Sequence, residues 1–557
     1  MRPNFFPASR TLAVKRTVIA EVILLMLGSA CAVDALAASI PTPGSVLNSV
    51  RPVESVIPPA QTESIVVPPT VEGQTLDPNG ARIHIAAFRI VGNDEIDSAT
   101  LHGLIDAEAG KPHNLYELDK IARIITDYYR SKGYPVARAV IPAQKVEFGN
   151  VTIEVIEGRI DRSSFTGNKL YSEKFLQRWT LPLEGHTAKT ETLEERVLTL
   201  NDLPGLSTRA VLTPGAEYGT TTTQFVATEK PLEGEVSVNN YGRREIGRAR
   251  VDAAANLNNP LGIGDQFGVR GSYSEAGLLK LAGVNYSLPL NTDGTRLALS
   301  YTDIRYRIGG DLSVLDIKGK SQLASATVIH PFQRSQQQNL YGTLGARTFH
   351  GEQTVLGFET SDNRVSVAEV GTAWNHIDDG YNIATASARA SSNFHSYNEN
   401  DSTIGQKLKL DGDASYLYNL NSIWAVQLSG AAQWAADTLA DAEKFSLGGA
   451  SSVRGYPSAD VLGDRGVFAS LELRYRTRIF TAPGYFSAFV DGGHVSRIHP
   501  AVGSDKSNSI GSAGVGATFF PVSAVQLELL AALPTGGHDT SDAHDSGRLW
   551  ANLTTRF

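Results

Sequence analysis

Cysteine is almost missing from this chain. It occurs once, at Cys31, in 557 residues, and methionine occurs only twice. A disulfide framework is thereby excluded. Charge is sparse as well, with 19% charged residues and a formal net charge of −8. No basic surplus is present for a polyanion and no nucleic-acid-binding motif occurs, so no nucleic acid is expected as a partner. The chain has no G-x-x-x-x-G-K-[ST] phosphate loop, no G-x-S-x-G elbow and no H-E-x-x-H zinc helix. The Gly-rich run 511–516 sits in strand-like text and does not read as a dinucleotide site. His538 and His544 lie in an Asp-rich stretch that reads as a solvated loop rather than a metal site. No enzyme activity, cofactor or metal is therefore expected.

The N-terminus reads as a secretory signal over residues 1–37. Arg2, Arg10, Lys15 and Arg16 form a basic start, Val22 to Leu27 an apolar core, and Ala35-Leu36-Ala37 a small-residue cleavage site. That core is shorter than the ~20 residues of a spanning helix. Gly28, three residues before Cys31, argues against lipid attachment there. After this segment no long apolar run remains. A soluble secreted protein fits that, and so does a β-barrel, whose alternating strands escape a hydropathy scan.

Residues 38–81 read as a linker, because Pro41, Pro43, Pro52, Pro58, Pro59, Pro68, Pro69 and Pro78 break regular structure. Gly44 to Arg51 is amphipathic and reads either as a short plug helix or as tether. Residues 82–158 predict a compact β-α-α-β-β unit. Its long helix runs from Tyr116 to Lys132, with Leu118, Ile121, Ile124, Ile125 and Tyr128 at helical spacing and Gly133 as terminator. Residues 159–232 repeat the element order with little shared sequence. Both units place Gly-Asn just after their first strand, at Gly92-Asn93 and Gly167-Asn168.

From 233 to 557 the period changes to two. In Val467 to Arg476, Val467, Ala469, Leu471, Leu473 and Tyr475 share one face; Phe468, Ser470, Glu472, Arg474 and Arg476 share the other. Such strands suit a wall between lipid and a wet lumen. A soluble sandwich gives the same alternation, so period alone leaves both readings open. The signal segment, the unbroken run of strands and the stretch Leu549 to Phe557 favour a barrel. About 325 residues at roughly 20 per strand and connection predict about 16 antiparallel strands.

One loop stands out in this strand text. Val453-Arg454-Gly455-Tyr456 follows the Gly/Ser-rich run Leu447 to Ser452, with no catalytic partner nearby. It reads as a piece that folds back and plugs into something. Further on comes Phe489-Val490-Asp491-Gly492-Gly493, a Phe-x-Asp-x-Gly pattern. Two β-α-α-β-β units, a barrel and these two motifs in this order resemble the outer-membrane transporters of two-partner secretion. This is the family of the haemolysin and filamentous-haemagglutinin secretion proteins, within the barrel-assembly and translocation superfamily.

The resemblance covers nearly the whole chain after the signal. It implies that the two small units are periplasmic POTRA domains. It also implies that residues 443–464 enter the lumen between strands 11 and 12, and that Phe489, Asp491 and Gly493 lie on strand 13. Strand parity fits, because Asp491 cannot face hydrocarbon cheaply and so points inward. Arg454 is its expected partner, since a guanidinium clamps a carboxylate with two charge-assisted bonds. Gly455 is expected to permit close backbone approach or a positive φ.

The implied function is export of a large β-rich exoprotein from periplasm to cell surface without ATP. The implied cargo is haemolysin- or adhesin-like and encoded nearby. Outer-membrane lipid and the barrel-assembly machinery are the other implied partners, the latter reading Phe557 as a sorting signal. Capture of the unfolded partner is expected by β-augmentation, at Val136, Arg138 and Val140 or at Ser207, Arg209 and Val211; covered edges are the competing expectation. The alternatives are a barrel-assembly factor, a passive channel, an enzyme fused to a barrel and a soluble adhesin.

Overall fold

The computed structural model describes residues 41–50, 65–67, 76–398, 408–479, 481–500, 505–537 and 547–557. The signal segment 1–37, most of the linker, His538 and His544 lie outside the described residues.

Both predicted small units form. In the first, strand Ala87–Val91 pairs in parallel with Asn150–Ile156, which pairs antiparallel with Arg138–Val140. Its second helix, Leu115–Ser131, starts at a capping box in which Asn114 and Glu117 satisfy each other's backbone N–H. Leu118, Ile121, Ala122, Ile125 and Tyr129 then fall on one face and make the core with Val151 and Ile153. In the second unit, strand Arg159–Thr166 pairs with Thr220–Glu229, which pairs with Leu206–Pro214. The Gly-Asn turns are structurally the same device. Gly92 and Gly167 have φ of 79° and 84°, and a Cβ on either would come within 2.4 Å of a strand carbonyl. Asn93 and Asn168 each donate to a carbonyl three residues on, at 2.8 and 2.9 Å.

The units join without a spacer. Glu157 is buried at the joint, accepting from the Glu95 N–H at 2.8 Å and the Tyr129 hydroxyl at 2.9 Å. Burial, reinforced by the Glu157 carboxylate, holds the Tyr129 phenol well above its usual pKa, so it stays a donor.

Residues 232–556 form a closed barrel of sixteen antiparallel strands, from Leu232–Asn239 to Arg548–Arg556. The expected strand number and fold class are both met. Large apolar side chains point outward, as with Leu471 (50% exposed) and Val490 (59%), while Asp491 (2%) points inward. A soluble sandwich requires the reverse. The barrel is uneven in height. Strands six to nine have 16–20 residues, whereas the first and last have 8 and 9. The first and last strands close the barrel from Glu235↔Arg556 to Asn239↔Asn552. Beyond that ladder the Asn240 side chain stands in for a strand, accepting from Ala551 N–H at 2.8 Å and donating to the Leu549 carbonyl at 2.7 Å. Phe557 and Gly234 exchange two backbone bonds of 3.0 Å, and the ring fills the space a Cβ on Gly234 would need.

The second small unit docks on the short barrel turns. Arg334 clamps Asp202 with bonds of 2.9 and 2.8 Å, and Arg296 donates to the Asp202 carbonyl at 2.8 Å. Asp378-Asp379, which reads from sequence like a loop of the outer face, sits instead in a tight turn at this docking end. There Asp379 accepts from Gln337 at 3.0 Å.

Candidate functional site

The eleventh strand, Trp424–Ala435, ends at the far mouth of the barrel, and the twelfth, Arg465–Ile479, begins there. The chain between them folds down into the lumen. This loop therefore spans 436–464 rather than the expected 443–464, because residues 436–442 already leave the wall.

At the loop tip, Arg454 is 7% exposed and fully engaged. Its Nε donates to Asp491 Oδ2 at 3.0 Å and its Nη2 to Asp491 Oδ1 at 2.7 Å. Its backbone N–H adds a third bond to Asp491, at 3.1 Å. Nη1 reaches Glu472 Oε2 at 2.5 Å and Nη2 reaches Ser470 at 3.0 Å. The guanidinium stacks 3.3 Å from the centre of the Phe489 ring. Asp491 also accepts from the hydroxyls of Ser470 (2.8 Å) and Ser512 (3.0 Å), so its charge is both paired and solvated by protein. Asp491 lies on the thirteenth strand, Ala482–Ser496, with Phe489 and Gly493.

The neighbours of Arg454 each have a physical role. Gly455 supplies close approach, not positive φ: a Cβ there would lie 2.8 Å from Ser512 Cβ and 3.0 Å from Pro534 N. Val453 and Tyr456 are buried with Leu447, Val495 and Ile510, and Tyr456 donates to the Gly536 carbonyl at 2.8 Å. Gly493 leaves room for Leu447, whose Cδ2 is 2.6 Å from where a Cβ would sit.

The sequence singled out Arg454 and Asp491 but missed Glu472, Ser470, Ser512 and Trp550. The Trp550 indole donates to the Arg454 carbonyl at 2.7 Å. Ser458 donates to the Tyr241 carbonyl at 2.8 Å, and Arg243 to the Ala459 carbonyl at 3.0 Å. The missing signal was register, which sets Ser470 opposite Asp491, and Asp491 opposite Ser512.

The lumen also holds helix α1, Pro43–Val50, one residue earlier than Gly44 to Arg51. Val46 and Leu47 pack into an apolar cluster with Leu279, Ile304, Tyr306 and Phe349. Ser321 donates to the Pro43 carbonyl at 2.8 Å. With loop and helix seated, one cavity in the lumen has a volume of ≈ 580 Å³ and is lined by residues such as Ser237, Ser429, Ser487, Glu472 and Arg474.

The candidate capture edges stand differently. Arg138 and Val140 are on an outer strand, but Val136 precedes it and packs against the second unit's core. The Ala139 N–H is taken by Thr126 Oγ1 at 2.9 Å. Leu206–Pro214, carrying Ser207, Arg209 and Val211, is covered in part by the chain's own linker: Ile65 and Val66 pair in parallel with Ala210 and Val211.

Comparison with known proteins fixes the class. The family model of haemolysin secretion/activation proteins ShlB/FhaC/HecB matches residues 225–519, and that of the ShlB-type POTRA domain matches 83–158. The chain belongs to the haemolysin secretion/activation family. Among similar members, the heme/hemopexin transporter protein HuxB of Haemophilus influenzae is 25% identical over 489 residues, covering 84% of this chain and 85% of HuxB. The outer membrane transporter CdiB of Escherichia coli is 25% identical over 420 residues, covering 72% and 70%. The solved structure of CdiB from Escherichia coli shares the fold, with a TM-score of 0.69 at 21% identity over 88% of this chain and 93% of that one. BamA from Haemophilus ducreyi lacking POTRA domains 1–3 shares it at a TM-score of 0.53 and 18% identity, over 85% and 100%. The fold is thus shared more widely than the family, and the family model is what fixes the class. This haemolysin secretion/activation family member is an outer-membrane transporter with periplasmic POTRA domains, and it translocates a secreted exoprotein.

Proposed function

We propose that the lumen loop is the closure of the export path and that the Arg454–Asp491 pair is its latch. The two-pronged, buried guanidinium–carboxylate contact carries this reading. The loop and α1 both sit in the lumen, so cargo passes extended and the two yield to it. Folding of the cargo outside supplies the drive, and no catalysis is involved. The domain division is signal 1–37, linker 38–81 with α1 as plug, POTRA units 82–158 and 159–232, and barrel 233–557.

Capture occurs at a POTRA sheet edge. Leu206–Pro214 suits it best, because its ladder already accepts an extended segment at Ala210 and Val211. Phe557 serves the barrel-assembly machinery as a sorting signal, and outer-membrane lipid covers the apolar exterior. The cargo is haemolysin- or adhesin-like, and a neighbouring reading frame for a large β-helical secreted protein would name it.

Arg454→Ala tests the latch. The protein should still reach the outer membrane, while cargo in the medium should fall sharply. Full export by a membrane-inserted Arg454→Ala barrel would sink the mechanism. Deleting 82–158 should abolish secretion and preserve the barrel; continued secretion would move capture elsewhere.

A further inference from the structure

We propose that Glu443 is a second anchor of the lumen loop, and that it couples the seating of α1 to the barrel wall. The proposal rests on the reading of the loop as the lumen's closure. Before the tip, the descending leg makes a single 3-10 turn, Asp441–Glu443. Glu443 is 6% exposed. Its carboxylate accepts from Arg347 Nε at 3.0 Å, Arg347 Nη2 at 2.6 Å and Lys409 Nζ at 2.8 Å. Arg347 is on the seventh strand, Gln338–Val355, and Lys409 on the tenth, Leu408–Asn419.

Charge balance shows why a carboxylate is wanted there. Arg347 also pairs with Glu369, and Arg389 and Lys409 lie 3.2 and 3.4 Å from Asp411. On the wall, three cations (Arg347, Arg389, Lys409) thus face two acids (Glu369, Asp411), leaving one positive charge. Glu443 neutralises it. An unpaired buried charge is costly, so the wall holds the leg as long as the leg presents its carboxylate.

Helix α1 rests on the two residues that precede Glu443. A Cβ on Gly44 would stand 2.3 Å from Ala442 N and 2.5 Å from Asp441 C, so only glycine lets the backbones meet. Asn48 Nδ2 donates to the Asp441 carbonyl at 3.2 Å, and Ala442 joins Val46 and Leu47 in one apolar cluster. Removing α1 strips the backing from the turn that aims Glu443. The loop is a crossbar held at both ends with opposite polarity. Its leg offers an anion to cations on strands seven and ten. Its tip offers a cation to anions on strands twelve and thirteen.

The test is the conductance of the purified full-length protein in planar lipid bilayers. Barrel integrity is read by heat-modifiable migration in SDS gels. Glu443→Gln should raise open probability by about tenfold, the worth of a lost charge-assisted contact. Glu443→Asp should return it towards wild type. Arg347→Gln should open the channel too, and Glu443→Gln added to it should contribute little further, since both remove one interaction. Lys409→Gln replaces Arg347→Gln should that variant not fold. Gly44→Leu should mimic Glu443→Gln and be non-additive with it. Folded Glu443→Gln protein with wild-type conductance, or simple additivity across the pairs, overturns the proposal. Under that result, a conductance rise in Arg454→Gln leaves the tip latch standing, whereas no rise there removes the latch reading as well.

Discussion

The lumen loop and the linker strand Ile65–Val66 are both segments laid onto a wall of the same molecule, and they are held by opposite means. At the loop tip one buried residue makes five hydrogen bonds to Asp491, Glu472 and Ser470, four through its side chain and one through its backbone. The linker strand is held by two residues of backbone ladder against Ala210 and Val211, with Ile65 packed on the second unit's core. An extended incoming chain can replace a ladder bond for bond, whatever its sequence. It cannot replace Arg454, because no backbone supplies a cation to Asp491. In the proposed function the POTRA edge is the part exchanged with cargo, and the latch is the part that holds until its charge pairing is removed.

The contrast predicts a graded series. Arg454→Ala should be the most damaging change, leaving Asp491 buried without its cation, while Glu472 keeps Arg474 at 2.8 Å, at a cost of about 3–5 kcal/mol. External protease should then cut the loop in intact cells, and an uncut loop would refute its release. Asp491→Asn keeps an acceptor but loses the charge, so loop cleavage should be intermediate. Gly455→Ala pushes a methyl against Ser512 and the Pro534 backbone and should loosen the tip by about 1–3 kcal/mol. The smallest effect belongs to the double change Ile65→Pro/Val66→Pro, which removes the linker ladder. Isolated transporter should bind an extended cargo peptide a few-fold more tightly, since each ladder bond is worth about 0.5–1.5 kcal/mol. Weaker peptide binding, or a loop as protease-sensitive as in Arg454→Ala, would erase the distinction between the two segments.

Much of this architecture is legible in the sequence, because the features that set it are local. The helix face of Leu118, Ile121 and Ile125, the Gly-Asn turns and the period-two strands need no partner to be recognised. Once the barrel is recognised, parity and the cost of a carboxylate in hydrocarbon place Asp491 in the lumen, and Phe486 and Val490 do lie on the lipid face of its strand. What stayed hidden depends on register and long-range closure. Glu472 and Ser470 are visible as inward residues, yet only pairing of strands twelve and thirteen brings them to Asp491. Glu443 is one acid in a loop, and its partners Arg347 and Lys409 lie 96 and 34 residues earlier. Val136 looked like part of a strand because Val136 to Ile141 is β-prone, but the strand is shortened to Arg138–Val140 as Val136 packs against the neighbouring unit. The linker strand was illegible because proline-rich text gives no hint that two residues find a ladder.

The contacts of the loop tip fall on both sides of the barrel's joint. Trp550, on the last strand, holds the Arg454 carbonyl; just after the first strand, the Tyr241 carbonyl accepts from Ser458 and Arg243 reaches Ala459. Between those strands the ladder runs from Glu235↔Arg556 to Asn239↔Asn552, with the Gly234–Phe557 pair as the stitch at one end and Asn240 at the other. The loop is thus a suture across the place where the sheet meets itself. Seating the tip therefore ties the first and last strands to one another as well as to the loop.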